Sequence, residues 1–411
     1  MEQELLREVL IARQPILTAG FGVLGYELLY RDSDGDGLSA EITDDGDRAT
    51  ASVVIDGLLG LGLLELTGGD DAWVNVPPGL LVDDTILDVP PEGLVIELLG
   101  GPVDHDELHA ALVRHRAAGF RIALSEVVSA DDPRLKLADL IDVIKVDVPG
   151  AGVEEGLRLV RQLAREGRMV LAEKVEDPAI FERAAQAGAK LFQGFFFTRP
   201  LSVRGMRPLG IESGHLQLLR ELARDEVDLR QVELLIRGDV TVSDRFLRLV
   251  RSRSRGIEVE SIHHGLVMLG VVAVQRWVNL VVMSATVRDA PSELVAVASA
   301  RARGCELLER ARGGNRMLEA FSLGMFSILG PDGILDSTTM DGLPVSPGVR
   351  AALEYGEGPF RPLLEVMLAA EQADWGLLDL YSERLGVEAG QVAAAHAEAL
   401  SWSIGVKQAI V

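Results

Sequence analysis

From residue 9 to about residue 200, short apolar runs alternate with amphipathic segments. The runs are "VLIARQPI", "GYELLY", "AWVNV", "LVIELL", "RIALSEV", "LIDVIKVDV", "RMVLAEKV" and "KLFQGFFF". Several are nearly continuous in apolar residues, the pattern of strands covered on both faces. Between them, "HDELHAALVRHRAAG", "VEEGLRLVRQLAREG" and "DPAIFERAAQAG" repeat apolar positions at helical spacing. The first and last of these pair an acidic start with a glycine stop. Eight strands with helical crossovers predict a β/α (TIM-like) barrel, so the fold class is α/β followed by all-α.

The pattern changes after "TRPL". "SVRGMRPLGIESG" is rich in Gly, Pro and Ser and reads as a connector, with the boundary near residues 202–213. Beyond it, "LQLLRELARDEV", "LRQVELLIRGD", "SDRFLRLVRSRS", "ELVAVASARARGCELLERARG" and "GQVAAAHAEALSWSIGVKQ" have helical periodicity. The expected division is a barrel over 1–204 and an all-helical domain over 205–411.

The net charge of −23 and pI near 4.7 exclude a general attraction to nucleic-acid polymers or anionic lipid. One cysteine, Cys305, leaves no intramolecular disulfide or multi-cysteine metal site and fits a reducing, cytoplasmic setting. The amino terminus does not read as a signal peptide. The most apolar run, "GLVMLGVVAVQRWVNLVVMSA", has Gln275 and Arg276 at its centre, so a core helix is expected there rather than membrane insertion.

In such a barrel, reactive side chains gather at the carboxyl ends of the strands. Here those ends carry Glu27, Asn75, Glu97, Ser125-Glu126, Lys145, Asp147, Glu173 and Gln193. Converging oxygen donors suit a hard divalent cation, Mg²⁺ or Mn²⁺, and a pair of such ions would clamp a phosphodiester. "DSDGDG", residues 32–37, starts like a calcium loop, but Thr43 stands where the closing acid belongs, so it reads as a solvated turn.

The ordered series "QPI", "GYELLYR", "VNVPPGLL", "VIELLG", "VIKVDV", "AEKVE" and "FQGFFFTRPL" resembles an EAL domain, the cyclic di-GMP phosphodiesterase barrel, over residues 9–201. The resemblance implies a two-metal site. It places Glu27, Asn75, Glu97, Asp147 and Glu173 as metal ligands and Glu27 and Lys145 in the catalytic places, with Gln14, Arg31 and Gln193 toward the nucleotide. It also implies cyclic di-GMP as ligand and a homodimer through the barrel; no protein partner is named by sequence.

The departures are specific. The family's D-D-F-G motif is replaced by Ser125, Glu126, Val127 and Val128. Serine is a poor ligand for a hard ion. Glu126 cannot substitute for it, because neighbours on a strand point to opposite faces. Leu99 and Gly100 stand for a threonine and a second glutamate, and Lys174 for the glycine of A-E-G-V-E. The leading expectation is therefore a catalytically degenerate barrel acting by protein or nucleotide binding without a cofactor. The alternative is a Mg²⁺- or Mn²⁺-dependent phosphodiesterase producing linear di-GMP.

"LLIRGDVTVSDRFLRLVRSRS", "IEVESIHHGLVMLGVVAVQRWVNLVVMS" and "MLEAFSLGMFSILG" resemble an HDOD domain, the partner of EAL barrels in bacterial signal transduction. HDOD domains are related to metal-dependent HD phosphohydrolases. Here Ser327-Ile328 stand at the dyad position, and none of His215, His263, His264 and His396 precedes an aspartate. The His105-Asp106 pair is expected to start a barrel helix, with the aspartate as its cap. His263-His264 reads as a structural pair, the five arginines from Arg245 to Arg255 as a solvated basic face, and Trp375 and Trp402 as core or interface aromatics.

Overall fold

The computed structural model describes residues 9–32, 67–194, 213–224, 226–253, 261–286, 292–329, 343 and 345–410. The segment "DSDGDG" beyond Asp32 and the connector up to residue 212 lie outside the described residues. The chain packs as two compact units. One is Met1–Leu201 with Leu368–Leu380 and Glu388–Ile404, and the other is Ser202–Met367 with Tyr381–Val387 and Gly405–Val411. Two C-terminal segments thus group with the barrel unit.

Each of the eight predicted runs overlaps a strand: β1 (Val9–Thr18), β2 (Val23–Asp32), β3 (Asp71–Val76), β4 (Leu94–Leu98), β5 (Arg121–Val127), β6 (Val143–Asp147), β7 (Val170–Glu173) and β8 (Leu191–Phe192). They close into a barrel in chain order. β1 runs antiparallel to both β2 and β8, and the other neighbours are parallel. Only Ala19–Gly22 separates β1 from β2. A connection that short forces a hairpin, because a parallel crossover needs a dozen or more residues.

The crossovers carry α1 (Pro78–Val82), α2 (His105–Ala117), a 3₁₀ helix (Pro133–Leu140), α3 (Val153–Arg165) and α4 (Pro178–Ala187). Asp104, not Asp106, caps α2: its carboxylate accepts from the amides of Asp106 and Glu107. Asp106 instead lies in the first turn, where negative charge favours the helix dipole. Asp177 caps α4, and Gly188 ends it with φ of 117°. The barrel floor is a buried layer of Ile16, Trp73, Val95, Ala123, Leu171 and Leu191, with Val143 against it. Gly25 belongs to this layer by necessity, since a Cβ there would stand 2.5 Å from the Asp71 carbonyl oxygen and 2.9 Å from the Trp73 indole nitrogen.

The helices beyond the barrel are α5 (Ser213–Leu222), α6 (Leu229–Arg237), α7 (Val240–Arg253), α8 (Ile262–Leu269), α9 (Val271–Thr286), α10 (Ser292–Ala311), α11 (Met317–Phe326), α12 (Pro347–Glu354), α13 (Arg361–Glu371), α14 (Trp375–Leu385) and α15 (Ala389–Ile410). The apolar run expected as one core helix is two, α8 and α9, bent by 111° at Gly270, whose φ is 76°. Among the described residues no single helix is long and apolar enough to cross a membrane. Gln275 donates to the Leu222 carbonyl, and Arg276 pairs with the buried Glu306.

Gly324 lets α11 lie against the α10 backbone, where a Cβ would come within 2.4 Å of the Arg301 carbonyl group. Cys305 is buried on α10. The Ser327 hydroxyl donates to the Gly324 carbonyl at 2.7 Å, and exposed His263 lies 3.1 Å from a Glu233 carboxylate oxygen. On α7, Arg245 is half-buried and Arg248 exposed; the side chains of Arg251, Arg253 and Arg255 lie outside the description. Trp375 and Trp402 are half-buried.

α15 returns to the barrel through residues 389–404. Arg13 on β1 stacks over the Tyr26 ring at 4.4 Å and donates to the Ser403 hydroxyl at 3.4 Å. His396, on the same helix, is fully buried close enough to Arg13 to feel its charge.

Candidate functional site

The site follows from strand periodicity. Alternate residues face the same side of a strand, so each floor residue has a partner two positions along that faces the barrel axis one layer higher. Two positions beyond Gly25, Trp73, Val95, Ala123, Val143, Leu171 and Leu191 stand Glu27, Asn75, Glu97, Ser125, Lys145, Glu173 and Gln193. On antiparallel β1 the count reverses, so Gln14 precedes Ile16 and pairs in register with Glu27. Nearly every sequence-predicted site residue falls in this one polar layer.

Lys145 is its centre, with none of its side chain exposed. Its ammonium lies 2.9 Å from Glu27 Oε2 and 3.0 Å from Glu173 Oε1, and also pairs with Glu97. Asn75 Nδ2 donates to Glu27 Oε1 at 2.7 Å. Gln193 donates from Nε2 both to Glu27 and, at 3.2 Å, to Gln14 Oε1. Ser125 Oγ donates to Glu97 Oε2 at 3.4 Å.

This environment separates the three glutamates. Burial pushes Glu27 upward, but the Lys145 charge and hydrogen bonds from Gln193, Lys145 and Asn75 outweigh it, so Glu27 is held below the ordinary carboxylate value. Glu97 is pushed up to about 8 by burial and the Glu27 charge, against the pull of Lys145. Glu173 is also raised, chiefly by burial. Lys145, despite burial, is held protonated by the charges of Glu173, Glu27 and Glu97.

A carboxylate oxygen from each of Glu27, Glu97 and Glu173 lies within 4.8 Å of the others. Asn75 Oδ1, Glu97 Oε1 and Gln193 Oε1 are buried acceptors without a hydrogen-bond donor. Buried polar atoms are normally satisfied, so three bare oxygens beside a carboxylate triad fit a single hard cation, which would share the three carboxylates with the Lys145 ammonium. Glu27, Asn75, Glu97 and Glu173 are the residues that would hold it.

Asp147 is not part of this cluster. It stands two residues past Lys145, one layer higher, where Oδ2 accepts from Lys174 Nζ at 2.7 Å and Oδ1 from the Gly150 amide at 2.8 Å. Of the five residues placed as ligands by the resemblance, Glu27, Asn75, Glu97 and Glu173 share the layer, while Asp147 lies above it against an ammonium. This ion pair escapes the sequence reading, in which Lys174 figures only as a replaced glycine. Counting layers upward from Val143 would have separated Asp147 from the rest.

The end of β5 bulges. Leu124 pairs with Ile144 and Val127 with Val146, so β5 carries an extra residue. Glu126 has φ of 55°, its side chain is exposed, and its amide donates to Glu173 Oε2 at 3.3 Å. Ser125 alone points inward. Lys174, at the end of β7, has φ of 54°, a value natural for glycine and uncommon for other residues. Gly194, after Gln193, has φ of 138° and leaves no space for a side chain: a Cβ would stand 2.0 Å from the Val175 carbonyl oxygen. Arg31 lies on β2 opposite Leu10, and its side chain is outside the description.

The family model for the HDOD domain matches residues 212–336. Cyclic di-GMP phosphodiesterase CdgJ of Vibrio cholerae is 32% identical over 410 residues, spanning 97% of this chain and 93% of CdgJ. The uncharacterized protein YuxH of Bacillus subtilis is 29% identical over 406 residues, spanning 96% and 98%. Among solved structures, the manganese and cyclic di-GMP complex of Klebsiella pneumoniae BlrP1 is 24% identical over 47% of this chain and 56% of that one, with a TM-score of 0.40. Bacillus subtilis YkuI, a protein with an EAL domain, is 20% identical over 64% and 71%, with a TM-score of 0.38. The full-length match to CdgJ, the HDOD match and the closed barrel with its ordered polar layer agree, and the chain belongs to the EAL-HDOD family.

Proposed function

We propose that this protein is an EAL-HDOD signalling protein whose barrel binds a cyclic dinucleotide or a protein partner without hydrolysing a phosphodiester. The boundary near residue 204 would separate this binding barrel from a helical signalling half. The observation that carries the reading is the pairing of Lys174 with Asp147, which engages one carboxylate at the mouth, while Ser125 stands where the resemblance implies another. A divalent cation held by Glu27, Asn75, Glu97 and Glu173 would supply charge to bind and polarise one phosphoryl oxygen. Gln14 and Gln193 offer amides at the wall, and Lys145 keeps its proton on Nζ under three carboxylates.

The alternative, hydrolysis of cyclic di-GMP to the linear dinucleotide, is favoured by the name of CdgJ and by the intact carboxylate triad. Incubating the full chain with cyclic di-GMP and Mn²⁺ or Mg²⁺, then separating the products, distinguishes the two. The binding reading expects calorimetric heat without linear product. Turnover abolished by Glu27→Ala would overturn it in favour of the phosphodiesterase.

A further inference from the structure

We infer that Lys174 is a built-in cation that takes the place of a second metal ion and restricts the barrel to one. The inference rests on the reading of the barrel as a divalent-cation and phosphodiester cup, and adds how many ions that cup holds.

Three independent features support it. The first is the split of the carboxylates. Glu27, Glu97 and Glu173 offer oxygens within 4.8 Å of one another around the shared Lys145 ammonium, while Asp147 lies one layer higher and has an ammonium of its own, Lys174 Nζ at 2.7 Å from Oδ2, with the Gly150 amide 2.8 Å from Oδ1. The Asp147 side chain is 9% exposed and that of Lys174 57%, so the ammonium reaches in from the rim to a sunken carboxylate.

The second feature is the backbone. Lys174 is held at φ 54°, where a side chain crowds the neighbouring carbonyl and glycine does not. A long cationic residue at a position whose backbone suits glycine points to a role for the side chain. The third is the facing strand end. Ser125 turns inward but spends its hydroxyl on Glu97, and Glu126 turns outward. A second ion near Asp147 would find neither acid. A fixed ammonium there also lowers the negative potential that five carboxylates, Glu27, Glu97, Glu126, Asp147 and Glu173, would present to an anionic phosphodiester.

The test is the stoichiometry of Mn²⁺ binding to the full-length chain, stripped with chelator, read by calorimetry and by the electron paramagnetic resonance signal of free Mn²⁺. The unmodified chain should bind one ion, and Lys174→Arg should also bind one. Lys174→Gly combined with Ser125→Asp should bind two, with glycine accepting the left-handed backbone so that folding is preserved; a thermal melt checks this. No ion or two ions on the unmodified chain would overturn the inference, as would a folded double variant that still binds one. Hydrolysis by a one-ion chain would remove the binding reading and leave this inference standing. An inactive chain that binds two ions would do the reverse.

Discussion

Lys145 donates a hydrogen bond from Nζ to Glu97 Oε2, and neither side chain has any exposure to solvent. Two more carboxylates, Glu27 and Glu173, share the same ammonium. Charges buried this deeply are tolerated only in company, and removing one partner leaves the others uncompensated. Lys145→Met should therefore destabilise the protein by about 3–5 kcal/mol in the absence of divalent cations. Added Mn²⁺ should recover part of that loss by replacing the missing positive charge. Denaturant melts with and without Mn²⁺ measure both; a neutral Lys145→Met would mean that the carboxylates already share protons.

The same pair sets a pH dependence. Glu97 titrates at about 8 in the folded protein, above its ordinary value of 4.5, so between those values the folded chain holds a proton that the unfolded chain has released. Stability from this group is present at low pH and is lost as pH rises toward 8. His396 has the opposite sign: its folded value is lowered from 6.5 to about 4, so its contribution is lost as pH falls through that window. Between pH 6.5 and 8 only the first effect operates of these two. Melting temperature should fall across that interval, and Glu97→Gln should flatten the slope; an unchanged slope would place the titrating group elsewhere.

Gly194 joins fold and site. Its φ of 138° and the Val175 carbonyl oxygen 2.0 Å from any added Cβ mean that alanine must move the strand end bearing Gln193. Gly194→Ala should cost roughly 1–3 kcal/mol from the backbone shift. It should also separate Gln193 from Glu27, whose low titration value depends in part on that amide. Mn²⁺ affinity should fall with stability. Loss of stability with unchanged Mn²⁺ affinity would show that Gln193 does not help to shape the cup.

How much of this was legible in the sequence depends on the range of the interaction. The strands were legible because burial on both faces writes a continuous apolar run, as in "RIALSEV" over β5 and "RMVLAEKV" over β7. The polar layer was legible as a set because each member ends such a run. The antiparallel direction of β1 was not, since direction depends on the four-residue link after Thr18 rather than on the run itself. Gly270 hid a sharp bend inside an apolar stretch because a single glycine is tolerated within many helices. The Lys174–Asp147 pair joins two strands and two layers, and no local pattern encodes it. Nor does helical periodicity in "GQVAAAHAEALSWSIGVKQ" indicate that its residues up to Ile404 pack with a barrel nearly four hundred positions earlier.

That returning helix carries an unsatisfied group. Both ring nitrogens of His396 are buried without a hydrogen-bond partner, and burial, with the Arg13 charge nearby, holds the ring neutral. A buried donor and acceptor left unmatched costs more than an apolar side chain of similar size. His396→Leu should therefore stabilise the protein by about 1–3 kcal/mol near pH 7. The gain should widen below pH 6.5, where unfolded histidine takes up a proton that the folded ring refuses. Ser403→Ala, which removes the acceptor of the long Arg13 contact at 3.4 Å and a hydroxyl that donates to the Leu400 carbonyl of its own helix at 2.7 Å, leaves no charged group or ring nitrogen to bury and should show no such pH dependence. Melts of the three proteins at pH 5 and pH 7 test this. A destabilised His396→Leu would mean that the ring has a polar partner in solution, and a gain equal at both pH values would mean that His396 is not held neutral.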